Sequence, residues 1–391
     1  MKLKFGILYL FMVFFNHAFV QTISFAATPR GARVENVKIQ SKALNQEREL
    51  LIYTPEEYDA RTNEYFNVIY VFDSQSREFF DYTSSIVSFL GGADQSFIVV
   101  GISSPYNEKL DYSRRNDFLP KIESEAYKKQ AGTLHGNADN FSNYVESEVI
   151  PYINTKYRTL NQNIAVGHSL GASFILYSLV KKPNLFRNYF AISPNLAYDE
   201  NKLSKELTHF DYAKVKNSTF IYLSHADEGI EYWQDWKPAR ESVYAFFKDT
   251  LKDKNVTVET AAFPNNSHWS TFPPSLNRAF ESYFKNIQSK QASELSAEKY
   301  KVTIRLKVTN KDDVVYITGN QPNLGDWNPN KVEMKKTAEL EREIVLELQS
   351  PAQFKFTNGS WDTELGIIGT DNNVIIKPEI KNEFEFEMVK N

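Results

Sequence analysis

The chain has 391 residues, 42% of them apolar and 24% charged, with a net charge of −4 and no cysteine. That balance belongs to a folded, soluble protein of about two to three domains with a sizeable core. It argues against a nucleic-acid partner, because no stretch supplies a concentrated basic face, and it removes thiol catalysis, cysteine-based zinc sites, disulfides and a lipidated-cysteine anchor.

Residues 1–27 place Lys2 and Lys4 ahead of an apolar run from Phe5 to Phe15, with small residues around Ala26. This pattern predicts a secretory signal peptide, too short in its apolar part for a permanent membrane anchor. The mature chain is expected to begin near Ala27 and to be secreted or periplasmic.

Two strand-like runs between Arg33 and Tyr53, joined by a polar turn at Ala43–Gln46, predict an antiparallel hairpin stopped by Pro55. FNVIYVFD, Phe66 to Asp73, is a continuous buried-type strand; Ser74, Gln75 and Ser76 follow it and lead into an aromatic-rich helix. SFIVVGIS, Ser96 to Ser103, is the next strand, and the irregular piece from Pro105 to Leu134 is long enough to carry or cover a site. A helix through FSNYVESEVIPYINTKY then leads to NIAVGHSLGASFILYSLVKK, Asn163 to Lys182, read as strand, sharp turn and amphipathic helix. Further strands FRNYFAISP, STFIYLSHADE and VTVETAAFP alternate with helices near 239–251 and in SLNRAFESYFKNI. The alternation predicts an α/β fold: a mostly parallel sheet with helices on both faces and ligands at the carboxyl ends of its strands.

At the sharp turn Ser169 is flanked by Gly167 and Gly171 in the pattern G-x-S-x-G. Missing Cβ atoms let the chain bend tightly enough to lift a hydroxyl above the sheet edge, the arrangement of an α/β-hydrolase nucleophile. A serine attacks only when a base takes its proton, and in this fold the order along the chain is serine, acid, histidine. His17 lies in the leader, His135 lies upstream, and His168, beside the serine, is expected to point away. Of His209, His225 and His268, only His268, in the polar loop FPNNSHWST, leaves room for an acid on a separate preceding strand. That strand ends in Asp227 and Glu228, either of which could orient the imidazole. The oxyanion hole calls for the amide of Leu170 and one from the loop after Asp73, Gln75 or alternatively Ser74. No cofactor and no metal are required.

Residues 289–299 are polar and apolar-poor and are read as a linker. Beyond them, residues 300–391 change period: YKVTIRLKV, DVVYIT, EIVLEL, AQFKFT, NVIIK and EFEFEM alternate and are separated by turn residues, predicting a separate antiparallel β-sandwich. Trp327 and Trp361 fall in its polar turns, where an exposed indole plane suits the C–H face of a sugar ring.

Several blocks between 36 and 288 resemble the putative-esterase family of α/β-hydrolases, which includes siderophore esterases and feruloyl and acetyl xylan esterases. They are the hairpin with Ser41, Leu44, Arg48 and Pro55; the strand YVFD; Arg115, Asp117 and Pro120; VIPYINTKYRTL; GHSLGASFILYSL; FRNYFAISPNLAYD; and FPNNSHWS. The resemblance implies an α/β-hydrolase domain over 28–288 and favours Glu228 as the acid, with Asp227 the alternative because a glycine usual before the acid is replaced within SHADE. Ala172 replaces the second residue of a usual glycine pair. Ala197 replaces a usual aromatic, implying an altered acyl or alcohol pocket with Tyr198 still present. The segment GNQPNLGDW, the FKF strand and the second tryptophan resemble the starch-binding modules of carbohydrate-binding family 20. By that match Trp327 and Trp361 would stack on an α-glucan and Lys355 would bond sugar hydroxyls.

The function expected from these features is a secreted serine carboxylic-ester hydrolase acting through Ser169, His268 and Glu228 on acyl esters of carbohydrates or related small molecules, tethered to glycan by residues 300–391. The alternatives are a siderophore or other small-molecule esterase with a structural sandwich, acyl transfer to a sugar, and an inactive glycan-binding protein.

Overall fold

The computed structural model describes residues 31–91, 96–229, 233–251, 255–291 and 294–390; the expected signal peptide lies outside them. Eight strands form the main sheet: β1 (Arg33–Ser41), β2 (Gln46–Thr54), β3 (Asn67–Phe72), β4 (Phe97–Ile102), β5 (Ile164–His168), β6 (Asn188–Ile192), β7 (Thr219–His225) and β8 (Val256–Ala262). Their spatial order is β1-β2-β4-β3-β5-β6-β7-β8. β1 and β2 pair antiparallel as the hairpin predicts, β2 runs antiparallel to β4, and every pair from β4 to β8 is parallel. Helices on both faces explain why β3, β4 and β5 read as unbroken apolar runs.

The helices are α1 (Arg77–Gly91), α2 (Arg114–Phe118), α3 (Glu125–Ala131), α4 (Ala138–Tyr144), α5 (Ile150–Lys156), α6 (Leu170–Lys181), α7 (Tyr198–His209), α8 (Trp236–Ala245) and α9 (Phe272–Ser282). Phe80 and Val87 of α1 and Leu276, Ala279 and Phe280 of α9 bury one face of the sheet against Ile69, Val71, Ile164 and Phe190. Phe141 of α4, Phe174 of α6 and Leu203 of α7 cover the other against Tyr70, Phe72 and Tyr189. β5 therefore sits centrally, covered on both sides, and the turn after it projects from a rigid support. Among the described residues no helix is long and apolar enough to cross a membrane.

The piece from 105 to 134 contains α2 and α3 and is anchored by a buried ion pair. Both terminal guanidinium nitrogens of Arg48 on β2 donate to Asp117 at 2.7 and 2.9 Å, and the Tyr112 hydroxyl donates to the same carboxylate at 2.8 Å. Removing one partner of such a pair typically costs about 3–5 kcal/mol. The Arg48 and Asp117 landmarks are thus two halves of one staple, whereas Arg115 is exposed.

The C-terminal strands form two four-stranded sheets. One joins β10 (Tyr316–Gly319), β11 (Val332–Glu333), β14 (Ala352–Thr357) and β15 (Val374–Ile376); the other joins β9 (Tyr300–Lys307), β12 (Lys335–Ala338), β13 (Glu341–Leu348) and β16 (Glu383–Glu387). Their inner faces share a core of Val302, Ile304, Leu306, Ile317, Phe354, Phe356 and Phe386. The expectation of an antiparallel sandwich needs one correction: β16 runs parallel to β9, Phe384 opposite Ile304. Alternation of side chains fixes which face is buried but carries no information on strand direction.

In the stretch 289–299, expected as a linker, the described residues 291, 294 and 296 are tied down. The buried Gln291 amide donates to Asn188 Oδ1 at 2.8 Å and to the Ser218 carbonyl at 3.0 Å, Arg187 pairs with Glu294 at 3.2 Å, and the Ser296 amide donates to the Ser350 carbonyl at 2.7 Å. The two sheets are also fastened to the hydrolase body directly. The Asn63 and Ile375 amides donate to the Gly369 and Asn63 carbonyls at 2.8 and 2.9 Å. Glu64 Oε1 accepts from the Thr370 hydroxyl and the Asp371 amide at 2.7 and 2.8 Å.

Candidate active site

Ser169 occupies the turn between β5 and α6 at φ 57° and ψ −120°, a region that non-glycine residues rarely adopt. Its amide donates to the Ile192 carbonyl at 3.0 Å and its carbonyl accepts from the Ser173 amide at 3.0 Å, so main-chain bonds on both sides fix the turn. Gly167 is required here: a Cβ on it would lie 2.5 Å from the Gly171 carbonyl carbon and oxygen. The partly exposed Ser169 hydroxyl has no hydrogen-bond partner among the described residues. In unliganded sites the serine–histidine bond is commonly open and closes with substrate.

His268 follows β8 and Glu228 follows β7, both at the carboxyl edge of the sheet. His268 Nδ1 lies 2.7 Å from Glu228 Oε1, and the Ala226 amide donates to Glu228 Oε2 at 2.7 Å. Both side chains are buried. Burial works to raise the Glu228 carboxyl, but hydrogen bonds from the His268 ring and the Ala226 amide outweigh it and bring the group down to about 2. A carboxylate held in its ionised form near neutral pH therefore faces the imidazole. Asp227, its neighbour, is exposed. The other histidines after the serine lie elsewhere: His225 Nδ1 is 3.2 Å from the Tyr244 hydroxyl, and His209 Nδ1 bonds the Lys205 carbonyl on the surface.

The main-chain amides of Leu170, at the start of α6, and of Gln75 have no acceptor among the described residues. That of Ser74 already donates to the Ile102 carbonyl at 3.2 Å, and its hydroxyl to the Val71 carbonyl. The Gln75 side chain is locked, Nε2 donating to Asp73 Oδ1 at 2.6 Å and Oε1 accepting from the Ser104 amide at 2.9 Å. Asp73, at φ 68°, is in turn gripped by the fork of Arg114 at 2.5 and 2.6 Å. The pair offsets the negative charge of a carboxylate that adjoins the Gln75 amide.

Sequence reasoning missed this Asp73–Arg114 pair and an aromatic wall around His268. Trp233 and Trp236 stack at 4.9 Å with an interplanar angle of 18°, and their rings lie 5.0 and 5.5 Å from the imidazole. Trp269 lies 5.6 Å away on the loop itself. Trp233 is 46% and Trp269 69% exposed, so two large apolar faces meet solvent beside the site. The available signal was the tryptophans themselves, Trp233 and Trp236 after the acid and Trp269 beside His268. Tyr198, by contrast, is buried, its hydroxyl donating to the Pro120 carbonyl at 3.1 Å.

The residues expected to bind glycan do not form one exposed face. Trp327 is half-buried in a cleft of about 620 Å³ at the amino ends of the main-sheet strands, between the hydrolase body and the sandwich, beside Asn67, Gln162, Asn320 and Asn373. Trp361 is 45% exposed in the turn after β14. Lys355 is ion-paired with Glu364.

Comparison with known proteins places these features in context. The sequence profile of the family described as "Putative esterase" matches residues 41–339. The chain is 28% identical over 190 residues to the ferri-bacillibactin esterase BesA of Bacillus subtilis, covering 46% of this chain and 65% of that protein. It is 30% identical over 124 residues to the siderophore enterobactin esterase of Emericella nidulans, 29% of this chain and 40% of that one. The chain thus spans less than two thirds of the length of either curated relative. Among solved structures, an IroE-like serine hydrolase from Shewanella oneidensis superposes with a TM-score of 0.55 at 22% identity, covering 65% of this chain and 80% of that one. That likeness shows an α/β-hydrolase fold.

Proposed function

Because this chain belongs to the putative-esterase family, we propose that it is a serine carboxylic-ester hydrolase working through Ser169, His268 and Glu228. The observation that carries the reading is the buried 2.7 Å contact between His268 Nδ1 and an ionised Glu228, on the same sheet edge as a serine in a strained turn. Glu228 accepts a hydrogen bond from Nδ1–H of His268 and thereby leaves Nε2 free to act as base. Ser169 Oγ attacks the acyl carbon and its proton passes to Nε2. The carbonyl oxygen becomes an oxyanion at the Leu170 and Gln75 amides, and the leaving alcohol takes the proton back as the ester bond breaks. Water then repeats the sequence on the acyl-enzyme, with His268 again base and then acid.

The substrate we propose is an ester with a planar or aromatic acyl group, because Trp233 and Trp269 present exposed ring faces beside the base. The siderophore esterases among the relatives support an ester of a small molecule as the substrate. The leader-like residues 1–27 support action outside the cytoplasm. Glu228→Gln is expected to lower kcat by on the order of 10⁴, because an amide no longer compensates the imidazolium, whereas Asp227→Asn stays within about twofold. Steady-state kinetics on a p-nitrophenyl ester checks the ranking, and the reverse order moves the acid role to Asp227.

A second reading adds retention on glycan through the family-20-like region, favoured by Trp327 lining a cleft rich in carboxamides. The full-length chain is then retained on insoluble starch, while the Trp327→Ala, Trp361→Ala double variant passes through. A wild-type chain that ignores starch and other glucans overturns it.

A further inference from the structure

His168 is a buried titratable group at the sheet edge for which the reaction above has no use. It is 2% exposed, immediately precedes Ser169, and lies under the base, its ring 4.7 Å from that of His268. Its Nε2 is 2.8 Å from the main-chain carbonyl oxygen of His268, 100 residues further along the chain. A carbonyl only accepts, so Nε2 carries the proton and donates it. The ring is clamped for this purpose, stacked on Phe79 at 5.4 Å and met edge-on by Phe272 at 6.0 Å.

The rest of the His268 loop is held weakly. Asn266, Ser267 and Ser270 bond one another, and the Phe263 amide reaches the His225 carbonyl where the loop leaves β8. Apart from the local bonds of the Asn266 amide to the Phe263 carbonyl and of the Thr271 amide to the Ser267 carbonyl, the hydrogen bonds that leave residues 264–270 among the described residues are two: the His268 ring to the Glu228 carboxylate, and the His168 ring to the His268 carbonyl. One fixes the rotation of the imidazole and the other the height of its main chain over β5.

We infer that His168 is a positioning residue that sets the Ser169–His268 spacing by tying the base's main chain to the residue next to the nucleophile. The inference rests on the serine-hydrolase reading. Histidine suits the task because it donates without adding charge: burial, reinforced by the neighbouring His268, depresses His168 to about 3. A cation 4.7 Å from the base would oppose the imidazolium that forms in each half-reaction. Effects of this kind are steep, since a misplacement of about 1 Å can cost on the order of 10²-fold in rate.

The test compares His168→Leu, which fills the space without a donor, with His168→Gln, whose amide N–H restores one. Turnover of a p-nitrophenyl ester is measured per active site titrated with a fluorophosphonate, alongside thermal unfolding, with Ser169→Ala in parallel. The expected result is a fall in kcat per titrated site of about 10- to 100-fold for His168→Leu with KM unchanged, and recovery to within about threefold for His168→Gln. Normal turnover per remaining site in His168→Leu, even with lowered stability or fewer active sites, overturns the inference, as does a His168→Gln variant as impaired as His168→Leu. If Ser169→Ala keeps its turnover, the hydrolase reading itself has failed; if Ser169→Ala is inactive and His168→Leu is normal, only the positioning role has.

Discussion

Replacing Ser169 with alanine is expected to lower kcat toward an ester by on the order of 10⁴ to 10⁶ while leaving the fold intact. The magnitude follows from the proposed mechanism, in which the hydroxyl forms the covalent intermediate and its loss leaves only binding and the oxyanion amides. Stability should change little or rise slightly. The Oγ atom has no hydrogen-bond partner among the described residues, so alanine leaves no acceptor or donor unpaired. The strain of the turn at φ 57° is a backbone property that alanine shares. Kinetics together with circular dichroism check both halves, and turnover near the wild-type rate would remove Ser169 from the chemistry.

His268→Ala is expected to have an effect of the same order on kcat, again with KM nearly unchanged, because the base acts in the transition state and contributes little to ground-state binding. It has a structural consequence that Ser169→Ala lacks. Removing the imidazole leaves the buried Glu228 carboxylate with the Ala226 amide but without the hydrogen bond from the His268 ring. An uncompensated buried charge is costly, so His268→Ala should unfold at a lower temperature than Ser169→Ala. Combining the two substitutions should cost scarcely more activity than either alone, since both remove one catalytic unit. Additive losses would mean that the two residues act separately, and near wild-type turnover would return the role to His225 or His209.

Much of the fold was legible because its signals are local. Continuous apolar strands alternating with amphipathic helices specify a covered parallel sheet, and the glycines around Ser169 mark a turn that geometry allows to nothing larger at position 167. Direction of pairing was less legible: β16 alternates as an antiparallel strand would, yet it lies parallel to β9. The segment 289–299 reads as a linker because it is poor in apolar residues, but its described residues are held by polar bonds. Gln291 completes the carboxamide of Asn188 in the body, a complementarity visible only once the two are close in space.

The site divides the same way. Chain order and loop position single out His268, whereas the choice between two adjacent carboxylates depends on which faces inward, and that is fixed by the turn after β7. The Asp73–Arg114 pair joins residues 41 apart, and the His168 contact joins residues 100 apart. Neither carries a sequence spacing that announces it. The surroundings of Trp327 were illegible for a related reason: a polar turn does not reveal that another part of the chain, around Asn67 and Gln162, will come to face it.

The most direct test of the central claim is to treat the full-length protein with a fluorophosphonate and locate the adduct by peptide mass spectrometry. Only a serine deprotonated by a neighbouring base, beside oxyanion donors, reacts rapidly with such a probe. The result predicted here is a single adduct on Ser169, absent in Ser169→Ala and formed far more slowly in His268→Ala. An adduct on another residue, or labelling that persists in Ser169→Ala, would contradict the account.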